Sequence, residues 1–235
     1  MKILSFANQK GGEGKSALTK LAAGALSMAP FNLKVLVIDA DTQGSIIAHR
    51  NRDIATLGED YEFPYAVEFS FPDKLPELIT KLKKEREYDI IFVDMPGRGY
   101  GDDINTLLSC LDVAIVPIAK GDEDADASLD FLENLKRHNE VRVRAKYPKL
   151  ELYILYNKFD NTSNAKASVE IFEAIKEDFG ITKQILFLPL REDFQNYSPK
   201  TNTSILLELK GKKGHKEDTY EAFYEICKFI KKRII

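Results

Sequence analysis

The sequence predicts an α/β fold: a doubly wound, mostly parallel sheet with helices on both faces. Three observations carry this expectation. Short runs rich in Ile, Val and Leu alternate with longer segments of helical period along the 235 residues. Several runs are apolar on consecutive residues rather than on alternate ones, as in parallel strands covered on both sides. A glycine-rich stretch at 10–16 joins the first such run to the first helical segment.

Taken in order, Lys2–Ala7 reads as the first strand and Lys15–Met28 as a helix that must stop before Pro30. Lys34–Asp39 is the second strand. His49–Phe71 holds Gly58, Pro64 and several aromatics and is expected to be a loop-rich excursion. Ile90–Asp94 and Val113–Ile118 follow as strands, and Ala125–Arg137 as a helix with Ala125, Leu129, Leu132 and Leu135 on one face. Leu152–Asn157 is a fifth strand. Ser163–Phe179 carries Val169, Phe172, Ile175 and Phe179 at helical spacing and closes at Gly180. Ile185–Leu190 supplies a sixth strand. Gly211–His215 is an expected exposed turn, and Lys216–Arg233 a last helix with Phe223, Ile226, Cys227 and Ile230 as its stripe. No repeat or low-complexity tract interrupts the pattern, so 1–235 is expected to form a single domain.

Composition narrows the functional classes. Hydrophobic residues make up 44% and charged residues 30%, enough for both a large core and a solvated surface. Two cysteines, Cys110 and Cys227, are too few for a disulfide framework and suit a reducing cytosol. His49, His138 and His215 have no metal-ligand spacing. The first apolar run breaks at Asn8 and Gln9, too early for a signal peptide, and no run reaches the ~20 apolar residues of a membrane span. The expected location is the cytoplasm. The net charge of −3 conceals an excess of cations from Lys200 onward, nine Lys/Arg against five carboxylates, which points to a polyanionic partner or to a solvated helix face.

The most specific chemistry lies in Lys10, Gly11, Gly12, Glu13, Gly14, Lys15 and Ser16. Gln9 stands where the first glycine of G-x-x-x-x-G-K-[ST] would be, so the stretch fits the variant K-G-G-x-G-K-[ST], with an extra lysine at its start. Glycines let backbone N–H groups close around phosphate oxygens, and the following helix turns its positive end to the same anion. Lys15 would supply a point charge to the β and γ phosphates, and the Ser16 hydroxyl a magnesium ligand. Glu13 occupies the variable position, with its carboxylate expected to point outward.

Acids at strand ends complete the pattern. Asp39 and Asp41 close the second strand in Val37-Ile38-Asp39-Ala40-Asp41-Thr42-Gln43-Gly44. Asp94 closes Ile90–Asp94 in a Walker-B pattern suited to holding magnesium directly or through water. Met95, Pro96 and Gly97 then turn the chain where a γ-phosphate would be sensed. In such sheets carboxyl strand ends border the ligand crevice.

These residues resemble the ParA/MinD family of deviant-Walker P-loop ATPases, and most closely its short partition proteins. The resemblance rests on Lys10–Ser16, Asp39–Ser45, Ile90–Gly97 and Val116-Pro117, and more loosely on Asn157 and on the stretch from Leu188 to Asp193. It implies that Lys10 reaches across an ATP-dependent homodimer to the partner's nucleotide. Lys15 and Ser16 would bind phosphate and magnesium, Asp41 would orient the attacking water, and Asp39 and Asp94 would support the metal. Gly11, Gly12, Glu13, Gly14, Ala17 and Gly97 would line the nucleotide, with Asn157 and Pro189 toward its base. Thr42 replaces the proline common after Asp41.

The resemblance implies a slow, partner-stimulated ATPase that binds DNA without sequence preference and segregates plasmid or chromosomal DNA, associated with the nucleoid. A centromere-binding or adaptor protein would stimulate it. Candidate DNA contacts are Lys210, Lys212, Lys213, Lys216 and Arg191, and the cluster Lys136, Arg137, Arg142, Arg144, Lys146 and Lys149. With the glycine loop starting at residue 10, no helix-turn-helix is expected before it. Two alternatives stay open. One is a MinD-like positioning ATPase whose basic, apolar C-terminal helix meets a membrane. The other is a small-molecule ligase of the same fold.

Overall fold

In the computed structural model the described residues are 1–10, 14–97, 102–118, 122–159, 177, 179, 186–189 and 215–235. The consecutive apolar runs become strands β1 (Lys2–Phe6), β2 (Val35–Asp39), β4 (Ile90–Asp94), β5 (Val113–Ile118), β6 (Glu151–Phe159) and β7 (Leu186–Pro189). A further strand, β3 (Ala66–Phe69), pairs with β2 at the sheet's edge. All seven are parallel, in the order β3-β2-β4-β1-β5-β6-β7.

Alternate residues of β1, β2, β4, β5 and β6 feed two separate cores. Ile3, Ile38, Ile91, Val93, Ala114, Val116 and Ile154 face one side. There they meet α3 (Leu75–Glu85), α4 (Asp102–Cys110) and α5 (Asp122–Arg144) through Ile79, Leu82, Leu107, Phe131 and Leu135. Leu4, Phe6, Val37, Phe92, Ile115 and Tyr153 face the other side. Their cover is α1 (Lys15–Ser27) and the terminal helix α6 (His215–Phe229), through Leu18, Leu21, Leu26, Phe223, Ile226 and Cys227. Each fully buried aliphatic or aromatic side chain contributes about 1.5–3 kcal/mol, so the double cover dominates the stability of the sheet.

Two expectations need correction. The stretch His49–Phe71 is not a loop-rich excursion, since it contains most of α2 (Ser45–Leu57) and all of β3. Only Ile46 and Asp53 of α2 are buried, so the helix lacks the apolar stripe that would have marked it. Its outer side is held instead by Arg50, whose guanidinium lies 4.2 Å from the Phe63 ring centroid and 4.9 Å from that of Tyr65. The helix expected at Ala125–Arg137 runs longer, over Asp122–Arg144.

The terminal helix passes into a single π-turn, Ile230–Ile234, and both of those isoleucines are buried. Tyr153 meets Phe229 edge-on at 4.9 Å, and Phe31 meets Tyr224 at 5.3 Å. The stripe of this helix is therefore spent on the sheet. Among the described residues no helix is long and apolar enough to cross a membrane. The expected helix Ser163–Phe179 and turn Gly211–His215 lie outside the described residues, apart from Glu177, Phe179 and His215.

Candidate functional site

The carboxyl ends of β1, β2 and β4 lie side by side, and three loops leave them in one direction. They enclose a cleft of about 550 Å³. Its walls are Gly14–Ala17 from the glycine loop, Asp41, Thr42, Gln43 and Ser45 after β2, and Met95, Pro96 and Gly97 after β4. Strand register sets Asp39 directly opposite Asp94.

Gly14 caps α1 in the left-handed conformation, with φ 79°, and the first turn of the helix carries no acidic side chain. The helix therefore offers its unpaired N–H groups to the cleft without a competing carboxylate. A Cβ on Gly14 would stand 3.4 Å from Asn157 Nδ2, which places the buried Asn157 side chain against the loop. Gly11, Gly12 and Glu13 lie outside the described residues. Pro189 ends β7, where its backbone pairs with Phe159 next to the Asn157 strand.

The Ser16 hydroxyl donates to Asp94 Oδ2 at 2.7 Å. Asp94 is fully buried, and its Oδ1 has no hydrogen-bond partner among the described residues. Burial pushes the Asp94 carboxyl up to about 7. The Ser16 hydrogen bond opposes this, Asp39 adds to it, Lys15 opposes it and Asp41 adds to it. An orphaned carboxylate oxygen, a serine that spends its proton on the other oxygen, and two further acids nearby make a pocket short of positive charge. Such oxygens fit a hard divalent cation. Among the described residues no three His, Cys, Asp or Glu side chains group as a metal site. A cation here would then be held by few protein oxygens and take the rest from water and phosphate, as magnesium does.

Asp39 is also fully buried, and its carboxyl is raised by that burial against the pull of three backbone N–H groups. Oδ2 accepts from the N–H groups of Ile46 and Ile47 at 2.9 and 3.0 Å, and Oδ1 from Asp41 at 3.3 Å. Expected beside the metal, this side chain also caps α2 from the end of another element. Asp41 is half-buried at the cleft wall, its Oδ1 accepting from the Gln43 N–H at 2.9 Å in a local turn.

Both lysines of the loop are placed. Lys15 is buried and its ammonium donates to the Lys10 carbonyl at 2.8 Å. The Lys10 N–H donates to Asn8 Oδ1 at 3.1 Å. The sequence reading overlooked Asn8, Ser128, Lys20 and Asp53, all of them buried. Lys20 lies one helical turn after Ser16, where burial lowers its pKa and Asp94, Asp53 and Asp39 raise it. A lysine breaking the apolar face of α1 between Leu18 and Leu21 was the available signal.

Among the basic candidates Arg142 is not a surface cation. It donates to the carbonyls of Pro148 at 2.7 Å, Leu111 at 2.9 Å and Leu108 at 3.3 Å, and so staples α5 to the loops around it. Arg137 pairs with Glu133 at 3.0 Å. Arg144, Lys146 and Lys149 are exposed. The side chains of Arg191, Lys210, Lys212, Lys213 and Lys216 lie outside the described ones.

The family model of the CobQ/CobB/MinD/ParA nucleotide binding domain matches residues 4–204. The chain belongs to this family. No curated protein matches it in sequence. Among solved structures, a plasmid partition protein from Borrelia burgdorferi bound to AMPPNP aligns at 22% identity over 96% of this chain and 97% of its own, with TM-score 0.63. MinD from Aquifex aeolicus aligns at 18% over 96% and 97%, with TM-score 0.67. An ATP-bound McdA variant from Cyanothece aligns at 17% over 97% and 95%, with TM-score 0.68. These neighbours share the fold, a parallel sheet with helices, as the sequence predicted.

Proposed function

We propose that this family member is a ParA-like ATPase that binds ATP with magnesium, closes into a sandwich dimer and binds DNA without sequence preference. Hydrolysis, stimulated by an adaptor protein, would release the DNA and so segregate a plasmid, chromosome or similar cargo. The observation that carries the reading is one cleft lined by Ser16, Asp41 and the start of α1, with Asp94 hydrogen-bonded to Ser16 and the Lys10 carbonyl holding Lys15.

The amides of 11–16 and the start of α1 would bind the phosphates, and Lys15 would turn from the Lys10 carbonyl to the β and γ oxygens. Ser16 and Asp94 would hold magnesium, with Asp39 behind them. Magnesium, when bound, would supply positive charge that offsets the charge of the phosphates. Asp41 would orient the attacking water and accept its hydrogen bond. Gly97 would approach the γ-phosphate, and Asn157 and Pro189 the base. Lys10 would cross to the nucleotide of the partner copy. Two facing polyanions repel, and one lysine from each side offsets this only while the γ-phosphate is present.

The membrane reading is disfavoured because Phe223, Ile226, Ile230 and Ile234 already pack against the sheet. Light scattering after gel filtration with ATP and magnesium, beside DNA retention, tests the proposal. Wild type is expected to double its mass and retain DNA, and Lys10→Ala to do neither. Equal masses and equal DNA retention for the two proteins would overturn it.

A further inference from the structure

Asn8 is 2% exposed and lies at the end of the first strand, outside the glycine motif itself. Its amide makes three hydrogen bonds in three directions. Nδ2 donates to the Pro117 carbonyl at 2.8 Å and to Ser128 Oγ at 3.1 Å. Oδ1 accepts the Lys10 N–H at 3.1 Å. The Pro117 carbonyl can only accept and the Lys10 N–H can only donate, so chemistry fixes which end of the amide faces which partner.

The partners belong to different parts of the molecule. Pro117 is in β5, the neighbour of β1, and Ser128 is in α5. Lys10 is bound on both sides, through its N–H to Asn8 and through its carbonyl to the Lys15 ammonium. One chain of hydrogen bonds, buried at its β5 and α5 end and part-buried at the loop, thus runs through Asn8 to the backbone of Lys10 and on to Lys15. A packing role would be filled by any side chain of the right volume. This role needs a donor and an acceptor on one short, planar group, which aspartate and leucine lack.

We infer that Asn8 is a positioning residue that couples β5 and α5 to the two phosphate-loop lysines, setting the point from which Lys10 leaves the loop toward the partner nucleotide. The inference rests on the trans role of Lys10 proposed above. Asn8→Asp keeps the acceptor for the Lys10 N–H and can still accept from the Ser128 hydroxyl, but it sets a carboxylate oxygen against the Pro117 carbonyl, so it breaks the link to β5. Ser128→Ala removes one link at the far end, and Ser128→Thr keeps the hydroxyl.

The experiment measures three things for each variant: melting temperature, affinity for Mg-ADP, and the ATP-dependent dimerisation constant with kcat. Asn8→Asp is expected to change Mg-ADP affinity less than about 3-fold and to weaken ATP-dependent dimerisation at least about 10-fold, with kcat falling alongside. Ser128→Ala is expected to weaken dimerisation by about 3–10-fold, and Ser128→Thr to restore it. Lys10→Ala runs in parallel. If Lys10→Ala abolishes the dimer while Asn8→Asp and Ser128→Ala dimerise like wild type, whatever their melting temperatures, the positioning role is overturned and the dimer reading stands. If Lys10→Ala itself dimerises normally, both fall. Should Asn8→Asp fail to fold, the Ser128 pair decides.

Discussion

At the scale of single residues, Asp94 shows how a binding site is paid for in stability. Its carboxyl is raised from 3.8 to about 7 by burial, and only Ser16 engages it directly among the described residues. Because the folded protein binds this proton more tightly than the unfolded chain, the stability that Asp94 contributes through it is fully present below pH 3.8. It falls as pH rises through 7, by up to about 4 kcal/mol. In EDTA, Asp94→Asn is therefore expected to be more stable than wild type at pH 8 in urea titrations, with the gap narrowing as pH drops from 7 toward 4. A gap that widens on acidification would contradict this. Gly14 is constrained differently. An alanine there would hold φ 79° against its own Cβ, at about 1–2 kcal/mol, and its Cβ would come into ordinary contact with Asn157. Gly14→Ala is expected to lower the melting temperature by about 2–8 °C and to weaken nucleotide binding. An unchanged calorimetric trace would mean that the loop relaxes out of the left-handed region.

Residues of this kind divide by legibility. Lys15, Ser16 and Asp94 could be singled out in the sequence because phosphate and metal chemistry would demand those types at those spacings, and the fold brings them together. Asn8 could not, because its partners are 109 and 120 residues away and nothing local encodes them. Asp39 was legible as a strand-end acid, whereas its cap on Ile46 and Ile47 depends on a turn that only the folded loop supplies.

At the scale of elements, the helices that bury a stripe were easier to read than those that do not. The terminal helix was legible because Phe223, Ile226, Cys227 and Ile230 recur at helical spacing, and all four are buried. α2 was hidden because its stability comes from Asp39 at one end and from Arg50 on its outer side rather than from apolar period. Arg142 illustrates the reverse error, a cation that looked like surface and serves three carbonyls. Arg142→Met is expected to cost about 1–3 kcal/mol in chemical denaturation and to leave the salt dependence of DNA retention unchanged. A shallower salt slope with unaltered stability would return Arg142 to the list of DNA contacts.

For the whole molecule, the parallel sheet was foreseeable from consecutive apolar runs, but its strand order was not, because order is fixed by long-range packing. The order matters for function. It sets the end of β1 between β4 and β5, so the glycine loop, the Asp94 turn and the Pro117 carbonyl all converge on one edge. The loop that joins α5 to β6, with Lys146 and Lys149, leads into the opposite end of the strands. If exposed cations on the dimer hold DNA through phosphate contacts, retention should fall steeply with salt, with a log–log slope near −0.9 per contact. Fluorescence anisotropy on random duplex DNA from 50 to 300 mM KCl, concentrations of roughly the range over which such contacts are lost, measures it. A flat dependence would exclude a phosphate-dominated DNA interface.

The terminal helix also bears on how the protein is made. Phe223, Ile226, Ile230 and Ile234 roof the same face of the sheet as α1, which is finished by Ser27. At about 5–20 residues per second, a ribosome takes roughly 10–40 s to travel from one to the other. Until then the face roofed by α1 lacks the cover of Phe223, Ile226, Ile230 and Ile234, so part of it stays open as the chain emerges. Shielding of that face until the terminal helix docks would bear on yield before any ligand is bound.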